Sequence, residues 1–124
     1  MKCMVVDDSA TMRRIVANAL RSLGYDSLVE ASDGNEALER WDESIDLIIT
    51  DWNMPNMGGL DLVTELRKRP ETASTAILMV TTRSVKADII QAVQAGVNSY
   101  IVKPFTPQLL KEKIDEVMAQ VQRA

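Results

Sequence analysis

The sequence predicts an α/β fold in which a five-stranded parallel sheet carries helices on both faces. Three observations predict it. Short apolar runs alternate with longer periodic ones five times, with no linker, repeat or low-complexity tract between them. The chain has 124 residues, the size of one domain able to bury a core without disulfides or a structural metal. Its composition, 46% hydrophobic and 26% charged, is that of a globular protein.

The elements follow in order. Lys2 to Val6 holds the first apolar run, and Met12, Ile15, Val16, Ala19, Leu20 and Leu23 mark a helix that Gly24 is suited to end. A strand is expected at Ser27 to Ala31. A short helix follows around Glu36 to Asp42, carrying Ala37, Leu38 and Trp41. Asp46 to Thr50 is the third apolar run. Gly58 and Gly59 then break the chain before a helix through Leu62, Val63 and Leu66, which Pro70 helps to close. Ala76 to Val80 is apolar, and Val85, Ile89, Ile90 and Val93 mark a helix running to Gly96. Ser99 to Val102 is the last strand, and Leu110, Ile114, Val117 and Val121 lie on one face of a final helix. A doubly wound, flavodoxin-like sheet of order 2-1-3-4-5 with right-handed crossovers puts the first and third strands side by side at the switch point.

Composition narrows the function. A net charge of −4 disfavours general attraction to nucleic acid or anionic lipid. The single cysteine, Cys3, cannot form an intramolecular disulfide, and the chain reads as made for a reducing compartment. There is no secretory signal pattern and no apolar run long enough to cross a bilayer, so a cytoplasmic location is expected. Histidine is absent, which removes phosphohistidine and imidazole chemistry from anything the chain does alone.

The informative residues stand where apolar runs end. CMVV is followed by Asp7 and Asp8, LIIT by Asp51, AILMV by Thr81, and YIV by Lys103. In a parallel sheet all of these lie along the carboxyl edge beside the crevice. Singly, each has a plain reading: an acidic pair at a helix start, a solvated lysine, a threonine whose neighbour Thr82 is a candidate cap for the next helix. Together, three carboxylates repel one another and call for a hard cation. Mg²⁺ takes one or two carboxylates directly and leaves positions for water and phosphate, whereas no calcium-loop pattern occurs. Lys103 and Thr81 then suit phosphate oxygens. A carboxylate can attack phosphorus to give an acyl phosphate. Asp51, standing singly on the central strand, is the better nucleophile, and Asp7 with Asp8 suits the metal.

VVDDS, DWNMPNMGG, MVTT and YIVKPF resemble the motifs of bacterial response-regulator receiver domains, over essentially the whole chain. SATMRRIV, DWNMPNM and QAG are most similar to the single-domain chemotaxis subgroup. The resemblance implies that Asp51 is the phosphoacceptor, that Asp8 ligates Mg²⁺ directly and Asp7 through water, and that the backbone carbonyl of Asn53 completes the protein ligands. It implies that Thr81 and Lys103 contact the phosphoryl oxygens and that the Lys103–Pro104 bond is cis. A separate histidine kinase is the implied donor. On a strand Tyr100 reads as a half-buried aromatic; the resemblance makes it the second half of a switch with Thr81. That switch alters the surface of the fourth helix, fifth strand and fifth helix, roughly Val85 to Ala95 and Ser99 to Val121. The implied target is a flagellar motor switch protein, with a phosphatase as a further partner and the chain itself a monomer without nucleic-acid or membrane partners.

Several positions depart from the family pattern. Gly58 replaces an Asp, with a small expected effect because glycine also caps helices. Thr82 stands where chemotaxis members have Ala, and its bulk bears on the room for Tyr100. Ser9 replaces an aromatic and opens the rim. Asn53 and Arg83 flank the expected path of a hydrolytic water, and related members often have Glu at the Arg83 position, so both bear on self-dephosphorylation. Trp52 is expected to pack near the metal site, and Met54, Met57, Met79 and Met118 to be core or adaptable contacts.

Other functions remain in contrast. An aspartate-nucleophile phosphatase would share Asp, Thr, Lys and Mg²⁺, but expects its nucleophile on the first strand with another Asp two residues on, and a cap domain. A dinucleotide or flavin module would need glycines where VVDDSATM has none. A receiver serving as phosphate sink or relay keeps the chemistry and changes the output. Residues 1–124 read as one receiver domain with no output domain, complete from Met1 to the polar end QVQRA.

Overall fold

A computed structural model describes residues 1–123; Ala124, the last residue of the polar end, lies outside them. The strands are β1 (Lys2–Val6), β2 (Ser27–Ala31), β3 (Leu47–Thr50), β4 (Ala76–Thr81) and β5 (Ser99–Val102). The helices are α1 (Ala10–Ser22), α2 (Gly34–Arg40), α3 (Gly59–Lys68), α4 (Lys86–Ala95) and α5 (Pro107–Arg123). All strand pairs are parallel, in the order β2-β1-β3-β4-β5, as expected.

Alternation along the strands splits the core in two. Cys3, Val5, Leu47, Ile49, Leu78 and Val80 face one side, where Val16 and Leu20 of α1 and Leu110, Ile114 and Val117 of α5 cover them. Met4, Val6, Ile48, Ile77 and Met79 face the other, under Ala37 of α2, Leu62, Val63 and Leu66 of α3 and Ala92 of α4. Every residue of β3 and β4 is buried, which is why those runs read as continuously apolar. Each fully buried leucine or isoleucine contributes about 1.5–3 kcal/mol of apolar transfer.

Three expectations need correction. α2 starts at Gly34, earlier than expected. The Asp33 side chain caps the helix by accepting from Glu36 N, and the Glu36 carboxylate accepts from Ser32 N, one residue before the cap. Trp41 leaves the helix with extended backbone as its C-cap. Thr82 does not cap α4; that position is Val85, which supplies no side-chain cap bond. The apolar stripe of α4 stays open to solvent, with Val85 63% exposed, Ile90 46% and Val93 53%. Periodicity reports a stripe, and at the sheet's edge only Ala92 finds a buried place. Ile15 of α1 is likewise exposed, where the start of the helix borders the crevice.

At the amino end of β4 and β5, away from the crevice, Arg67 of α3 gathers backbone carbonyls. Its Nε and NH2 donate to Gly96 O at 3.0 and 2.8 Å, and NH1 donates to Ala73 O and Thr75 O at 3.0 and 2.7 Å. NH2 also donates to Asn98 Oδ1 at 3.0 Å. Gly96, at φ +121°, ends α4 there, and a Cβ on it would meet Arg67 Cγ at 2.7 Å.

Burial pushes the Cys3 thiol up from 9.0 to about 11. A raised folded pKa means its stabilising effect is complete below pH 9.0 and is lost as pH rises towards about 11. Comparing urea unfolding of Cys3→Ala and the unaltered chain across that window should show the unaltered chain losing more stability. The expected excess is on the order of 1–3 kcal/mol. A constant difference between the two would refute it.

Candidate functional site

Ladder hydrogen bonds continue past the strand ends and set the site. Asp51 N donates to Val6 O at 2.9 Å, Asp7 N to Ala31 O at 3.1 Å and Lys103 N to Thr81 O at 2.8 Å. Asp7, Asp51 and Lys103 are therefore fixed by sheet register and converge at the carboxyl edge. Lys103 Nζ donates to Asp7 Oδ2 at 3.0 Å and to Asp51 Oδ2 at 3.3 Å. The three side chains are only 7%, 4% and 15% exposed, so this is a desolvated pair-and-a-half rather than a surface bridge.

Exposed Asp8 completes the acidic group. Oxygens of Asp7, Asp8 and Asp51 lie within 4.8 Å of one another. Three carboxylates against one ammonium leave two negative charges uncompensated, and all offered atoms are hard oxygens. That donor set fits a divalent hard cation such as Mg²⁺. The second oxygens of Asp51 and Asp7 are used locally: Asp51 Oδ1 accepts from Trp52 N at 2.6 Å, and Asp7 Oδ1 from Ser9 N at 2.9 Å. Ser9 Oγ caps α1 by accepting from Met12 N.

The β3–α3 loop is braced from both sides. Gly34 N donates to Met57 O at 2.9 Å, and Asn56, at φ +66°, donates through Nδ2 to Asp33 Oδ2 at 2.9 Å. The backbone N–H of Glu36, and then Asn56, hold the Asp33 carboxyl below its usual range. Gly58 is the N-cap of α3, without a side-chain bond, at the helix-start position expected of it. Gly59 N donates to Trp52 O at 2.8 Å.

Across the crevice, Thr81 is the last residue of β4 and fully buried; its hydroxyl accepts from Arg83 N at 3.4 Å. Thr82, not Thr81, lines the cavity of about 520 Å³ above the carboxylates. Met12, Ile15, Pro104 and Phe105 form its apolar wall, and the Lys103–Pro104 bond is cis. Tyr100 is half-buried against the α2–α4 side of the core, and its hydroxyl donates to Arg83 O at 2.9 Å. Burial, then the Asp88 charge, raises the Tyr100 hydroxyl above its ordinary pKa, so it remains a donor. Asn53 Oδ1 accepts from Arg83 NH2 at 2.9 Å, and the Arg83 guanidinium carbon stands 4.5 Å from the Trp52 ring centre.

Two supports escaped the sequence reading. Arg13 NH1 donates to Asp7 O at 2.7 Å while Nε bonds Glu30, so a helix residue fixes the backbone of the acidic pair. An arginine one turn into an amphipathic helix carries no such signal. The Asp33–Asn56 brace joins distant loops, which no local pattern in the sequence announces.

A five-stranded parallel sheet with an acidic trio and a lysine on its carboxyl edge defines a phosphoryl-handling switch domain by type. Residues 3–115 match the response regulator receiver domain model, and the chain belongs to that family. Its relatives include the chemotaxis protein CheY1 of Helicobacter pylori, 54% identical over 95% of this chain and 97% of that one. The chemotaxis protein CheY of Pseudomonas aeruginosa is 48% identical over 98% of each. The solved structure of Vibrio cholerae chemotaxis protein CheY4 superposes with a TM-score of 0.86 at 35% identity, covering 94% of this chain and 97% of that one. No helix among the described residues is long and apolar enough to cross a membrane.

Proposed function

We propose that this protein is a phosphorylation-activated chemotaxis switch that takes a phosphoryl group on Asp51 and signals through its own surface. The observation that carries the proposal is the buried Lys103 ammonium shared between Asp51 and Asp7, with Asp8 beside them. The names of the relatives support the chemotaxis setting.

In the transfer, an Asp51 carboxylate oxygen attacks phosphorus of a phosphohistidine on a separate kinase. The P–O bond forms as the P–N bond breaks, and the imidazole nitrogen leaves with the electron pair. Asp7, Asp8, Asp51 and the Asn53 carbonyl would hold Mg²⁺, which supplies charge neutralisation for the equatorial oxygens. Lys103, released from its share of Asp51, follows the new negative charge. The Thr81 hydroxyl, which accepts from Arg83 N, turns to donate its own proton to a phosphoryl oxygen, and Tyr100 responds in the space beside it. Hydrolysis breaks the new P–O bond by attack of water, for which Asn53 and Arg83 shape the approach. The altered surface is α4, β5 and α5, where Val85, Ile90 and Val93 already offer exposed apolar side chains. The partner is the flagellar motor switch, and the setting is the cytoplasm.

The test is titration with the N-terminal peptide of a flagellar switch protein from the same organism, with Mg²⁺, with and without beryllofluoride. Trp52 fluorescence reports site occupancy in a Trp41→Phe background. Expected is at least about tenfold tighter peptide binding with the mimic, equivalent to 1.4 kcal/mol of coupling. Fluorescence that responds while peptide affinity stays constant would leave the chemistry and reject the motor partner, pointing to a sink or relay.

A further inference from the structure

Arg83 joins the two switch residues Thr81 and Tyr100 to the β3–α3 loop and to α4. Its backbone N–H donates to Thr81 Oγ1 at 3.4 Å, and its carbonyl accepts from Tyr100 at 2.9 Å. Its guanidinium lies 4.5 Å from the Trp52 ring centre, donates through NH2 to Asn53 Oδ1 at 2.9 Å, and through NH1 to Asp88 Oδ2 at 3.3 Å. Its Nε is buried and has no hydrogen-bond partner among the described residues.

The arrangement is incomplete in a telling way. A guanidinium is a planar fork suited to paired acceptor oxygens of an oxyanion. Here the fork is divided between a neutral amide and one carboxylate, with a donor left over. An acyl phosphate on Asp51, one residue from Trp52 and two from Asn53, would bring nearly two negative charges and three acceptor oxygens to the same neighbourhood. Asp88 sits in the first turn of α4, whose N-cap Val85 makes no side-chain cap bond. The Arg83–Asp88 pair is thus a side-chain tie between that turn and the site.

Resting on the phosphoacceptor reading, we propose that Arg83 is a positioning residue that latches the first turn of α4 to the site. In the unmodified chain Asp88 holds the guanidinium. When Asp51 carries a phosphoryl group, the guanidinium turns to the new oxyanion, Asp88 is released, and the first turn loosens beside Val85 and Ile90.

Amide hydrogen exchange over residues 85–90 tests this, with Trp52 fluorescence in the Trp41→Phe background reporting occupancy by beryllofluoride and Mg²⁺. The mimic should speed exchange there roughly threefold or more. Asp88→Asn and Arg83→Gln should each give that faster exchange without the mimic, and the double variant should add little to either, the mark of one shared interaction. Asp88→Glu should restore protection. Exchange unchanged in Asp88→Asn, or single effects that simply add, would overturn the latch even where Trp52 responds to the mimic. No Trp52 response in the chain with Asp51, Arg83 and Asp88 intact would instead overturn the phosphoacceptor reading, and the latch with it.

Discussion

Asp51→Asn is expected to abolish phosphorylation of the chain by a small acyl phosphate donor in the presence of Mg²⁺. The rate of labelling should fall by more than about a thousandfold, the scale seen when a covalent nucleophile is removed. The amide keeps the shape and can still accept from Trp52 N through its oxygen, as Asp51 Oδ1 does at 2.6 Å. It offers no anionic oxygen to phosphorus. Lys103 retains Asp7 at 3.0 Å, so the core of the site remains paired and the fold should persist. Labelling that survives the substitution would place the nucleophile on Asp7 or Asp8, and peptide mapping of the phosphorylated chain would show which.

Gly59→Ala should be the most damaging single-methyl change near the site. A Cβ there would stand 1.9 Å from the Asp51 carbonyl oxygen and 3.0 Å from Trp52 Cα, both backbone atoms that have no rotamer to escape into. Either α3 must shift or the end of β3 must, and the latter carries Asp51 with it. A loss on the order of 3 kcal/mol is expected from urea unfolding. Weaker Mg²⁺ binding, read from Trp52 fluorescence, should accompany it. Gly58→Ala is the contrast: its nearest neighbour, Trp52 O, is 3.0 Å away. If the two variants prove equally stable, the close packing of the β3–α3 corner is refuted.

Much of this was legible in the sequence because strands buried on both faces leave an unmistakable record. The runs ending at Val6, Thr50 and Val102 put Asp7, Asp51 and Lys103 just past strand ends, where the structure has them, since sheet register needs only the strand ends to be known. Less legible was whatever depends on what lies over a helix. The same periodicity in α4 and α5 hides opposite fates, with Val93 53% exposed and Val117 fully buried. The start of α2 was blurred because Gly34 and Asn35 look like a turn, and only the bonds of Glu36 N to Asp33 and of Ser32 N to Glu36 reveal a cap. Thr81 was expected beside the phosphate, yet its burial and its bond to Arg83 belong to the surroundings rather than to its own type. Long side chains such as Arg13 and Arg83 escape because their partners are chosen by reach across loops.

The grip of Arg67 on the Gly96 carbonyl has a mechanical meaning. α4 is pinned at its far end and lightly tied at its near end, so it can behave as an arm hinged at Gly96. Ten helical residues make an arm of about 15 Å, and a tilt of about 10° at the hinge carries its tip roughly 2.5 Å. Val85 would travel furthest and Ala95 least, turning a small local event into a displacement graded along the helix.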